Sequence, residues 1–115
     1  LVLNSAIKNE PIKLYNSHAL YNNIIDVDEI SRACLTVLNS FEVEFGLFNL
    51  AASEPVPMRD AIRFILGTLE SNSQIVEVSN NKASFLINTD RITSELGFIP
   101  MTTLKMLDRI VKNNT

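Results

Sequence analysis

The side chains most able to do chemistry fall in a few short stretches. In Asn22–Ala33, NNIIDVDEISRA, the carboxylates Asp26, Asp28 and Glu29 crowd together. Carboxylates at such spacing can hold a cation or divide acid and base roles between them. They also suit a helix start. Asp26 at the N-cap with Glu29 three residues on is a capping-box arrangement, and acidic groups favour the positive end of a helix dipole. The helix start is the preferred reading, because an apolar helical repeat follows at once. Asn22-Asn23 and Asn80-Asn81, the latter followed by Lys82, either mark turns or present polar groups to a ligand. Arg59 and Arg63, one helical turn apart with Asp60 between them, read as an exposed face. His18 lies in a polar loop and is expected to be solvated rather than catalytic.

The elements that must position these groups follow from periodicity. Val2–Lys8 reads as a helix that ends before Pro11, and Ile12–Tyr15 alternates as a short strand. Asn16–Asn22 is polar and reads as a loop, and Asn23–Ile25 as a second strand. After the Asp26 cap, Ile30, Ala33, Cys34, Val37 and Leu38 recur at helical spacing, which predicts a helix with one buried face and Cys34 in the core. GLFNLAA (Gly46–Ala52) reads as a buried strand, and Ser53–Pro57 as a turn. A strong helix is expected over Met58–Leu69, a strand over Gln74–Val78, a loop over Ser79–Ala83 and an extended piece over Phe85–Ile87. Asn88 is expected to cap a short helix ended by Gly97, and Thr102 or Thr103 a last helix with Leu104, Leu107, Ile110 and Val111 inward. Phe45, Phe48 and Phe85 are core candidates. The fold class is α/β: one α+β lobe over residues 1–115, with roughly four helices and strands too few to cover them.

Bulk properties narrow the function. The chain has 115 residues, 46% of them hydrophobic and 20% charged, with a net charge of −3. Ten scattered basic residues make no phosphate-binding patch, which argues against nucleic acid. No apolar run is long enough to span a bilayer. A single cysteine leaves no internal disulfide, suits a reducing compartment and supports a cytoplasmic expectation. One cysteine and one histidine give no Cys/His metal set. The chain opens at Leu1 inside an uncapped helical pattern, so a longer parent product is expected.

Five segments carry a further likeness in order. NEPIKLY, IIDVDEISRA, FNLAASEPVPMRDAI, INTDRITSELGFIP and TTLKMLDRIVK resemble successive motifs in the C-terminal part of the NAD-dependent epimerase/dehydratase family, the extended short-chain dehydrogenases. The resemblance covers nearly the whole chain. It implies the substrate-binding lobe of a nucleoside-diphosphate-sugar epimerase or dehydratase, whose Rossmann domain binds NAD(P) elsewhere. The family's glycine-rich turn is not among Gly46, Gly67 and Gly97. Its Tyr-x-x-x-Lys pair is not made by Tyr15 or Tyr21, which have Ala19 and Ile25 four residues on. The chain alone is therefore expected to be inactive and to carry no cofactor.

The resemblance also assigns binding residues. The base-contacting strand falls on Ile12, Lys13 and Leu14. Two arginines that meet the diphosphate fall on Asn22 and near Val78, and a nearby aspartate on Asn81. An asparagine gives neutral hydrogen bonds where a guanidinium grips phosphate in a fork. At roughly 1.5–3 kcal/mol per charged hydrogen bond, losing both weakens the grip by several kcal/mol, partly offset by Lys82. A nucleotide-sugar and the missing Rossmann domain are the expected partners. Cut from that domain, the lobe is expected to self-associate. A non-catalytic binding or regulatory protein of the same fold is the alternative, and an unrelated α+β interaction domain a third reading.

Overall fold

A computed structural model of the chain describes residues 2–40, 46–78 and 84–115. The elements run α1 (Val2–Ile7), β1 (Ile12–Tyr15), β2 (Leu20–Tyr21), α2 (Val27–Leu38), β3 (Val56–Pro57), α3 (Met58–Thr68), β4 (Ile75–Val78), α4 (Asp90–Leu96) and α5 (Thr103–Asn113). Alternation along IKLY turns Ile12 and Leu14 into the core and Lys13 and Tyr15 outward. β1 pairs in parallel with β4, Ile12 opposite Ile75 and Leu14 opposite Glu77, and a second two-stranded sheet pairs β2 antiparallel to β3.

The main core forms where α3 and α5 meet β1. Ala61, Ile62 and Ile65 of α3 face Ile12 and Leu14, with Ala6, Leu107 and Val111 closing around them. α3 starts at Pro57, which has no side-chain cap. The loop before β2 substitutes: carbonyls of Ala19 and Ser17 accept the orphan N–H groups of Met58 (2.8 Å) and Arg59 (2.9 Å). A smaller cluster of Ala33, Ile92 and Phe98 holds α2 to α4, with Phe48, Leu50 and Leu96 packed around it. Gly97 ends α4 in the left-handed region at φ 69°, where a side chain would be strained.

Several expectations change. Asn23–Ile25 is not a strand; the Ile24 N–H turns back to the Asn22 carbonyl at 2.7 Å, a three-residue turn that breaks any ladder. β2 lies instead inside the expected loop. Residues 46–52 and 85–87 form no strand either; among the described residues no strand is paired with them. Phe85 is exposed rather than core. In α5 the inward face is Thr103, Met106, Leu107 and Val111, while Leu104 turns outward. The short α4 begins after Thr89, and Asn88 Oδ1 accepts the Asp90 N–H at 2.8 Å from one residue further out.

The largest departure is α2. Of its expected buried face, Ile30, Ala33, Cys34, Val37 and Leu38, only Ala33 turns inward; the other four are exposed, with Val27 and Leu35 beside them. Only Glu29 and Ala33 are buried. The molecule is correspondingly thin, 50 × 33 × 17 Å, with a radius of gyration of 16.2 Å. A globule of this length has a radius of about 13 Å.

Candidate functional site

β1 has a strand neighbour on one side only. The Ile12 N–H donates to the Gln74 carbonyl at 2.8 Å, so Ile12 and Leu14 turn their main-chain groups toward β4. Lys13, between them, turns its N–H and C=O to the opposite edge, where no strand is paired among the described residues. Its side chain stands on the exposed sheet face with Tyr15 and Val76. A free donor–acceptor pair on a rigid strand can read the edge of a planar base.

Asn22 sits elsewhere in chemical terms. It is 3% exposed. Its Nδ2 donates to the carbonyls of Ala52 (3.1 Å) and Ile87 (2.8 Å), and its Oδ1 accepts the Ile87 N–H at 3.0 Å. The amide is spent on main chain and joins three segments distant in sequence. Val78 ends β4, and Asn81 and Lys82 lie outside the described residues, as does Phe45. Of the residues assigned from the sequence, the structure groups Ile12, Lys13 and Leu14 on one strand and places Asn22 in a separate buried junction.

A cleft of about 420 Å³ opens on the other margin of the sheet, lined by Arg59, Arg63, Ile75 and Glu77. Arg59 is not simply an exposed face residue. Its Nη2 reaches Glu77 Oε1 at 2.6 Å and approaches His18 Nε2 at 3.5 Å. The Arg59 hydrogen bond holds the Glu77 carboxyl below its ordinary range.

The acidic cluster is structural. Asp26 caps α2 by accepting the Glu29 N–H at 2.9 Å. It also takes both arms of Arg109, Nη2 to Oδ1 at 2.6 Å and Nε to Oδ2, and this hydrogen bonding lowers its pKa. Glu29 does not complete the capping box. It is 1% exposed, accepts the Met101 N–H and binds Arg32 through both oxygens at 2.7 and 3.0 Å. Burial pushes its pKa up, but the Arg32 and Met101 hydrogen bonds outweigh it and the net direction is down. Arg32 lies 4.1 Å over the Phe98 ring and donates to the Ile99 carbonyl at 2.7 Å. Arg109 and Met106, which secure α2 to α5, stand about 80 residues from Asp26, too far for any local signal to flag.

Among the described residues no three His, Cys, Asp or Glu side chains could hold a metal ion. No helix among them is long and apolar enough to cross a membrane. A dinucleotide diphosphate needs glycines between a strand and a helix start. Gly67 lies inside α3 and Gly97 closes α4, so these two do not fit it.

Solved structures that match this architecture include the following three. NADPH-bound RMD from Pseudomonas aeruginosa matches 98% of this chain and 42% of its own, with a TM-score of 0.69 and 16% identity. UDP-glucose 4-epimerase from Thermotoga maritima, solved with UDP-glucose, matches 96% of this chain and 37% of its own, at 0.75 and 13%. The dTDP-glucose 4,6-dehydratase from Bacillus anthracis, solved with NAD, matches 96% and 36%, at 0.73 and 17%. The chain shares their fold. The α/β class and the resemblance drawn from the five segments hold at that level, and the chain spans 36–42% of these structures' length. No family model matches the sequence, and no curated protein matches it.

Proposed function

We propose that this chain is the C-terminal substrate-binding lobe of an NAD(P)-dependent enzyme acting on nucleoside-diphosphate sugars, with dinucleotide binding and catalysis carried by a separate Rossmann domain. The observation that carries this reading is the fold match over 96–98% of the chain to nucleotide-sugar and dinucleotide-bound structures. The open Lys13 edge of β1 supports it, since it falls where the resemblance puts base contacts. In this reading Ile12 and Leu14 fix the strand against the core, the Lys13 main chain meets the base, and the Lys13 ammonium stands near the phosphates. Lys82 and Asn81, which follow β4 in the sequence, are proposed to complete the anion site. The parent is proposed to be a cytoplasmic protein.

Asn22 favours a second reading. The side chain at the position of an expected arginine is consumed by Ala52 and Ile87, so the diphosphate grip is weaker than in the family. That suits a sensor or regulatory binder that keeps the fold without turnover. Hydrogen exchange on the whole gene product, with and without UDP-glucose, tests the common core of both readings. Slowed exchange at the Lys13 amide is expected. Unchanged exchange across Ile12–Leu14 at saturating ligand would remove β1 from the site.

A further inference from the structure

The β1–β4 sheet has a second margin, on the far side of β4. In the parallel ladder the Ile12 N–H donates to the Gln74 carbonyl at 2.8 Å, with Ile12 opposite Ile75 and Leu14 opposite Glu77. This register turns the main-chain groups of Gln74, Val76 and Val78 toward β1, and those of Ile75 and Glu77 toward the open side. Among the described residues no strand pairs with that side. Two N–H and two C=O groups are therefore offered two residues apart, at a spacing of about 6.6 Å, which is the repeat of an extended chain.

A second observation lies on the same margin. The cleft of about 420 Å³ is lined by Ile75 and Glu77, the two residues whose main chain is open, and by Arg59 and Arg63 from α3. Glu77 engages Arg59 at 2.6 Å. Arg63 is exposed and, among the described residues, has no ion pair or hydrogen bond. The lining thus sets two guanidiniums against one carboxylate, in a chain whose net charge is −3. A small anion needs only the guanidiniums. Ladder groups beside them suit a ligand that has a backbone of its own.

We propose that the open edge of β4 binds an acidic peptide in extended conformation, which adds to the sheet as a strand and sets an Asp or Glu side chain on Arg63. Main-chain bonds to Ile75 and Glu77 hold the peptide, and the Arg63 fork selects its carboxylate. Glu77 keeps Arg59 neutralised, so Arg63 is the charge that discriminates. Alternate side chains of an extended peptide share a face, so its acidic groups recur at every second position. A second copy of this chain is the competing occupant. Pairing two β4 edges brings the arginines of both copies to one seam, where like charges oppose the contact. The peptide site is separate from sugar-nucleotide binding, which is assigned to the opposite edge at Lys13.

The test uses the whole gene product without nucleotide and a fluorescently labelled heptapeptide of alternating valine and aspartate, read by anisotropy. Saturable binding is expected, weakened about tenfold or more by Arg63→Ala or by lysine in place of aspartate. Glu77→Pro removes an open-edge N–H without touching the β1 ladder and should abolish binding. Glu77→Ala keeps the edge and frees Arg59, so it should bind at least as tightly. In amide exchange the peptide should slow Ile75 and Glu77 and leave Val76 and Val78, already bonded to β1, unchanged. No saturable binding, equal binding of the lysine peptide or by Arg63→Ala, or protection that omits Ile75 and Glu77 would each overturn the inference. Slow exchange of Ile75 and Glu77 before any peptide is added would also overturn it: the edge is then covered by a second copy if dilution restores exchange, and by the gene product itself if it does not.

Discussion

The Asn22 side chain pairs with the Ile87 main chain through both its ends, Oδ1 accepting the N–H at 3.0 Å and Nδ2 donating to the carbonyl at 2.8 Å. The amide imitates a neighbouring strand and holds the Phe85–Ile87 segment in place. The same Nδ2 ties Ala52 to this junction. Arginine cannot reproduce this pattern, because it has no acceptor and brings a charge into a buried place.

Asn22→Ala is therefore expected to lower unfolding free energy by about 2–3 kcal/mol, since it strands buried main-chain groups. Asn22→Asp sets a carboxylate against two carbonyls and should be more damaging at about pH 7 than near pH 4, where it is partly protonated. Urea denaturation at the two pH values measures both. A neutral Asn22→Arg substitution that strengthens phosphate binding would show that Asn22 is a ligand position and no clamp.

The Asp26–Arg109 and Glu29–Arg32 clamps make stability depend on acid. Both carboxyls have native pKa values below their unfolded ones. Their contribution is fully present above the unfolded values and is lost as pH falls through the lowered native values. The urea midpoint should be level down to about pH 5 and fall below about pH 4. Asp26→Asn keeps a capping oxygen but should flatten this acid slope. An unchanged slope in that variant would exclude the Arg109 pair as a contributor.

Gly97→Ala should cost about 1 kcal/mol, because its φ of 69° is the left-handed region and alanine is strained there. No atom stands in the way of a methyl group, so the cost is conformational. A thermal shift close to zero would mean that the end of α4 relaxes freely.

The isolated 115-residue chain is expected to associate through its open apolar faces, with light-scattering mass rising with concentration. Leu38→Glu should reduce that rise. A monomer at every concentration in the unmodified chain would contradict it.

The elements with local signals are legible in the sequence. IKLY alternates and is β1; the Asp26 cap and the Gly97 stop sit where side-chain chemistry puts them. Orientation was less readable. The stripe Ile30, Cys34, Val37, Leu38 announces a buried face, and periodicity cannot tell burial within the chain from burial against a partner. Gly46–Ala52 reads as a strand from its apolar run, although among the described residues no strand pairs with it. The clamps were hidden differently: Glu29 looks like a capping-box partner until Met101 and Arg32, brought by the fold, claim its oxygens. At the candidate site, Ile12–Leu14 was legible from the strand pattern and the resemblance. The commitment of Asn22 was not, because its partners are main-chain groups of Ala52 and Ile87 that any sequence would supply.

The central claim is that this lobe helps bind a nucleoside-diphosphate sugar. Calorimetric titration of the whole gene product with UDP-, dTDP- and GDP-sugars tests it most directly. The account predicts saturable heat with at least one of them, weakened by substitution at Lys82; no heat with any of the three would contradict it.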